Sequence, residues 1–198
     1  MKILKDKIES EDKYFKNSLS KEYEFFMNYL IRRAEESSVA TNSEESTTEC
    51  LDDQKDLILR SISSSIEHFQ IFELEPFDIE TLLEVLCDLL NCLPTALIPR
   101  RFFEMCMNLN FSYLNCLEVL KCIPKCHLNL FSLIIKFIYS YSKSNEINYN
   151  SIAKAIFQSD SELFQKNTSN QSLNEKNCLK FINLFIENYD LFLISLQA

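Results

Sequence analysis

Apolar residues recur every three to four positions through most of this chain, and sustained alternation of apolar and polar positions occurs nowhere. Tyr23, Phe26, Met27, Leu30 and Ile31 mark a first amphipathic helix over 21–33. The following stretch, EESSVATNSEESTTE at 35–49, holds no Leu and no aromatic residue, and reads as a flexible acidic loop. Helical spacing returns over 51–66, with Ile58, Ile62 and Ile66 on one face. Ile79, Leu82, Leu83, Leu86, Leu89 and Leu90 define the next helix, and Asp78 stands where an N-cap belongs. Further helices are predicted over 100–108, 112–122, 126–142 and 150–157. The last one opens at Ser172-Leu-Asn-Glu175, a capping-box pattern, and turns Leu179, Ile182, Phe185, Ile186 and Tyr189 inward. The period predicts an all-α fold.

One segment breaks the rhythm. In LPTALIPRRFF, residues 93–103, Leu93 and Pro94 stop one apolar run and Pro99 opens another. An apolar elbow between two buried helices belongs in the core, so Leu93, Pro94 and Ile98 are expected to be structural. Arg100 and Arg101 follow it, either as surface arginines of a first turn or as contacts for an acidic partner surface.

At 198 residues, with 46% hydrophobic residues and 16 Phe, the chain is long enough for one domain with a true core. The net charge of −9, with 20 basic residues scattered among 29 acids, argues against a nucleic-acid groove and against anionic membrane. The longest apolar candidate, 128–139, is broken by Asn129, Ser132 and Lys136, well short of the roughly 20 residues of a transmembrane span. The first fifteen residues are too charged for a signal peptide, so a cytosolic protein or cytosolic part is expected. Glycine is absent altogether, which argues against phosphate-cradling loops, dinucleotide turns and nucleophile elbows.

Of the eight cysteines, Cys87, Cys106, Cys116 and Cys178 fall within apolar periodic runs and read as reduced core residues. Cys116, Cys122, Cys126 and His127 give C-x5-C-x3-C-H, which matches no standard zinc spacing and sets Cys116 and Cys122 on opposite sides of a helix. Structural thiols and a loop histidine are the simpler reading. Adjacent Cys126 and His127 diverge on a helix, so no thiol–imidazole nucleophile pair is built. Neither metal nor cofactor is expected.

The segment LLEVLCDLLNCLPTALIPRRFFEMCM resembles the RhoGAP pattern in which a helix runs into Leu-Pro-x-Pro-Leu/Val-Ile and a second, aromatic-bearing helix. LEVLKCIPKCHLNLFSLIIKFI resembles the family's L-x-x-L-P-x-x-H/N segment, and NEINYNSIAKAIF its Asn-Lys-Met-x-x-x-Asn-Leu-Ala-x-x-Phe segment. The three occur in the family's order and cover 79–157. Within that family, Ile123-Pro-Lys-Cys-His-Leu-Asn-Leu-Phe131 is similar to the Leu-Pro-Arg-Cys-His-Arg-Asn-Val-Phe run in the carboxy-terminal module of OCRL and the type II inositol polyphosphate 5-phosphatases. KEYEFFMNYLIRR is similar to the first helix of those modules, with Glu24 where they carry a Trp.

The resemblance implies a RhoGAP-like helical bundle over 20–198 behind an N-terminal extension at 1–19, and a module that binds Rho-family GTPases of the Rac or Cdc42 type. It also implies adaptor-peptide binding and a peripheral place on endosomes or Golgi through such partners. Any phosphatase chemistry would belong to a parent chain, since no such motif occurs here. The elbow is then expected to set the helix from Arg100 beside the helix that carries Cys87 and Asn91. Active members carry an arginine on a Gly-Φ-Phe-Arg-x-Ser-Gly loop, which offsets charge on the transferred phosphoryl group. This chain has SSVATNSEESTTE there. Where active members have Lys and Arg before Leu-Pro, it has Cys87 and Asn91. Where they have Asn and then Gly-Pro-Asn, it has Ser151 and then Phe157, Gln158 and Ser159. The GTPase-facing residues implied are Cys87, Asn91, Arg100, Gln158 and Ser159, with no catalytic residue among them. The rival readings are a divergent active GAP using Arg60, and a helical interaction protein unrelated to GTPases.

Overall fold

The computed structural model describes residues 21–37, 54–55, 57–58, 77–93, 95–108, 110–143, 149–157 and 171–197. Among these residues the elements are α1 (Lys21–Ser37), α2 (Ile79–Asn91), α3 (Arg100–Asn108), α4 (Tyr113–Leu120), α5 (Lys125–Ser142), α6 (Asn150–Phe157), α7 (Gln171–Glu187) and α8 (Tyr189–Gln197). Gln54, Lys55, Leu57 and Ile58 are helical as well, inside the helix expected over 51–66, whose other residues lie outside the described set. No strand occurs among the described residues, so the all-α reading holds. The N-terminal extension, residues 38–49 of the expected acidic loop, and Arg60 lie outside the described residues.

The long helix α5 organises the bundle. Its buried residues, Cys126, Leu130, Phe131, Ile134, Ile135, Phe137 and Ile138, spread over about half the circumference at 3.6 residues per turn. One helix can cover only part of so wide a face, and α1, α7 and α8 all pack against α5. From α7, the fully buried Phe181 reaches Phe103 of α3 (6.0 Å between ring centroids), Phe131 of α5 (6.0 Å) and Phe157 of α6 (5.5 Å). A single ring thereby ties four helices, each tilted or edge-on contact adding about 0.5–1.5 kcal/mol to the apolar burial.

Helix α1 lies antiparallel to α2. At one end the Tyr23 hydroxyl donates to the Leu89 carbonyl at 3.0 Å, and at the other the Arg33 guanidinium donates to the Phe77 carbonyl at 3.4 Å. α1 continues to Ser37 rather than ending near residue 33, which corrects the expected start of the acidic loop at 35. Ala34 is fully buried, Arg32 pairs with Glu36 at 3.5 Å, and Glu35 reaches Lys136 of α5 at 3.9 Å. Packing thus carries the helix one turn further than its own sequence pattern does.

Asp78 caps α2 as expected, its carboxylate accepting the Thr81 N–H at 2.7 Å. α4 is shorter than expected, leaving Cys122 in the turn beyond it. The final helix differs more. Gln171 is already helical, so Ser172 lies within the helix and not ahead of it, and the helix breaks at Asn188. The Asn188 side-chain amide donates to the Leu184 carbonyl at 2.8 Å, the acceptor that its own backbone N–H would use in a continuing helix. α8 restarts with the Phe192 N–H on the Asn188 carbonyl at 2.9 Å. Without glycine, the turn from α3 to α4 takes its left-handed backbone at Asn110 and Phe111, both at φ 52°. Phe111 accepts that conformation, which costs about 1–2 kcal/mol, with its ring buried 6.0 Å from Phe103.

Candidate functional site

The elbow is where the described chain brings distant segments together. α2 closes with the Cys92 N–H on the Asp88 carbonyl at 3.0 Å and the Leu93 N–H on the Leu90 carbonyl at 3.2 Å. Leu93, Leu97 and Ile98 are all buried, as the apolar elbow requires; Pro94 lies outside the described residues. Two hydrogen bonds fix it. The Ile98 N–H donates to the Ile156 carbonyl in the last turn of α6 at 3.2 Å, and His127 Nδ1 lies 2.9 Å from the Leu97 carbonyl. A carbonyl only accepts, so Nδ1 carries the hydrogen. α3 then starts from Pro99, whose carbonyl accepts the Phe102 N–H at 2.9 Å.

His127 therefore sits in the first turn of α5, not in a loop, and its ring serves the elbow. Cys116 and Cys126 are buried on different helices while Cys122 is exposed, so the C-x5-C-x3-C-H run assembles no site. Among the described residues, no three His, Cys, Asp or Glu side chains gather as a metal site.

The outward side of α2 carries Glu80, Glu84, Cys87, Asp88 and Asn91. Cys87 is half-buried. Burial first, and then the carboxylates of Asp88 and Glu84, push its thiol up to about 12, with Lys55 pulling the other way. The thiol is neutral and a poor nucleophile. Lys55 forms an ion pair with Glu84, so a cation that sequence reading did not assign to this face sits beside it, already matched to a carboxylate. Asn91 is exposed one turn after Cys87 on the same side.

Of the five residues implied by the resemblance, the structure thus joins Cys87 and Asn91 on one helix face. Arg100 opens α3 across the elbow, its side chain outside the described set, and Arg101 is exposed with its guanidinium 4.5 Å from the Phe102 ring centroid. Gln158 and Ser159 lie outside the described residues, directly after Phe157 in the chain. The expected placement of α3 beside α2 is corrected. α3 packs principally on α4, and through Phe103 on Phe157 at 4.4 Å, whereas α2 packs principally on α6. The two are linked through α6 because the elbow is bonded to it. The acidic residues of α2 were legible at four-residue spacing in Glu80, Glu84 and Asp88; the approach of Lys55 had no local signal.

No protein-family model matches this chain, and no curated protein matches it. No described helix is long and apolar enough to cross a membrane.

Proposed function

We propose that this chain is a catalytically silent RhoGAP-like interaction module that binds Rho-family GTPases of the Rac or Cdc42 type through the outward face of α2, which the buried elbow holds in place. The observation that carries the reading is the convergence at the elbow. Three stretches that resemble RhoGAP segments meet there, through Ile98 on Ile156 and His127 on Leu97, although they lie far apart in the chain. The H/N alternative in the resembling pattern also acquires a physical reason, since an Asn amide can offer an N–H close to where His127 Nδ1 offers one.

Silence is the second part of the proposal. Stabilising a transferring phosphoryl group takes a cation aimed at it. The α2 face offers two exposed carboxylates, Glu80 and Glu84, a half-buried carboxylate at Asp88, a neutral thiol at Cys87 and the amide of Asn91. Lys55 beside them is ion-paired with Glu84. Such a face holds a partner through shape and hydrogen bonds and sets negative charge against a γ-phosphate. Adaptor peptides, a place on endosomes or Golgi and a parent inositol polyphosphate 5-phosphatase are further parts of the same proposal. Glu24, where the resembling modules carry Trp, is exposed on α1, so an adaptor groove there would lack its aromatic wall.

The test is a binding titration of the module against Rac- and Cdc42-type GTPases loaded with a non-hydrolysable GTP analogue. Saturable binding, weakened by Asn91→Ala and unchanged by Leu114→Ser on α4, supports the proposal. Absence of binding to every GTPase tried refutes it and leaves a helical interaction protein of another kind.

A further inference from the structure

α8 is apolar on two sides. Tyr189, Phe192 and Leu196 turn toward the core on one, while Leu191, Leu193 and Ile194 are 57%, 36% and 65% exposed on the other. At about 100° per residue, Asp190 falls in the middle of that outward face. A helix that is apolar all round needs cover on every side. Three part-exposed residues fall far short of the roughly 20–30 residues a side of a stable interface between separate proteins. The face suits a segment of the same chain, whose tether lowers the cost of association. We propose that residues 1–8, MKILKDKI, seat on the outward face of α8 with Lys5 against Asp190.

The two surfaces match in kind. Met1, Leu4 and Ile8 recur at helical spacing with Lys5 beside them, so three apolar residues and a cation meet three apolar residues and a carboxylate. Glu187, exposed four residues before Leu191, adds a second carboxylate at the edge of the face. Residues 1–8 carry a net charge of +2, Lys2, Lys5 and Lys7 against Asp6. The other long stretches outside the described residues, 38–53, 59–76, 144–148 and 158–170, are each net negative and would set like charge against Asp190 and Glu187. A second copy of α8 would do the same.

The segment also reaches. Residues 9–20 join it to Lys21 and can span about 40 Å. α1 is about 25 Å long, and at its far end Glu35 meets Lys136 of α5 at 3.9 Å. One turn further along α5, Tyr139 stacks on Tyr189 at 4.0 Å, so α8 starts beside the far end of α1. From there it runs back along α5 to Phe131, 6.0 Å from Phe192. The outward face of α8 thus lies within the span of the tether. The proposal is independent of the GTPase reading.

The experiment is hydrogen exchange of the whole chain, read by mass spectrometry of its peptides. In Leu4→Asp the amides of α8 should exchange about tenfold faster than in the parent, with those of α5 unchanged. Lys5→Asp should act in the same direction, and adding Asp190→Lys to it should slow α8 again, a reciprocity that local loss of structure does not produce. In the unsubstituted protein a carbodiimide should join Lys5 to Asp190 within one chain. Parental exchange of α8 in both Leu4→Asp and Lys5→Asp would overturn the proposal. So would Lys5 to Asp190 cross-links confined to a covalent dimer, which would put a second copy on the face.

Discussion

Replacing His127 by Ala deletes the side-chain donor that holds the elbow, and the cost can be worked from the geometry. His127 Nδ1 is 2.9 Å from the Leu97 carbonyl, and Leu97 is buried, so the truncated protein leaves that acceptor without its partner. An unsatisfied buried carbonyl costs about 1–3 kcal/mol. In a chain of this length each kcal/mol moves the melting point by about 2–4 °C, so His127→Ala should melt roughly 2–12 °C below the parent. His127→Asn is the informative partner, because its amide N–H can reach the same carbonyl and should recover at least half of the loss. His127→Leu, which keeps bulk without a donor, should not. Thermal unfolding followed by far-ultraviolet circular dichroism, with urea midpoints as a check, measures all three. If His127→Leu equals the parent, or His127→Asn melts no higher than His127→Ala, packing rather than the hydrogen bond holds the elbow and the argument fails.

Ile98 is fully buried, so Ile98→Asp should cost several kcal/mol and leave little folded protein, while Ile98→Val loses only about 1 kcal/mol; an Ile98→Asp protein with an unchanged urea midpoint would put the elbow at the surface. The Cys87 thiol is raised from 9.0 to about 12, so unfolding releases its proton between those values. Its contribution is intact below pH 9 and is lost as pH climbs toward 12. Urea midpoints should therefore fall through this range, and fall less steeply in Cys87→Ala. Equal slopes in the two proteins would show that the thiol ionises freely in the fold.

Helices whose ends are set by local chemistry were legible in the sequence. Asp78 before an apolar period of four marks the start of α2, and Leu93 and Ile98 flanking the proline-bracketed segment predict its burial, both as observed. Ends set by tertiary contact were not. α1 extends where Lys136 of α5 meets Glu35 and where Ala34 is fully buried, neither visible from 21–37 alone. The break at Asn188 was hidden because Phe185, Ile186 and Tyr189 keep helical spacing across it, although an Asn side chain has capped the Leu184 carbonyl. The inward face of α7 was read one position off in part, since Cys178 and Phe181 are fully buried while Leu179 and Ile186 are half-buried. At the site, the pairing of Cys87 with Asn91 follows from helical spacing. The grip of His127 on Leu97 spans thirty residues, and the cysteine–histidine run that drew attention to that histidine carried no sign of its partner.

The account rests most directly on binding without catalysis. Single-turnover GTP hydrolysis by Rac- and Cdc42-type GTPases should be measured at saturating module, with complex formation followed in the same samples. The account predicts a complex whose hydrolysis rate does not exceed that of the GTPase alone. A hundredfold acceleration abolished by Arg60→Ala would contradict it and make the chain an active GAP with its arginine in an unexpected place.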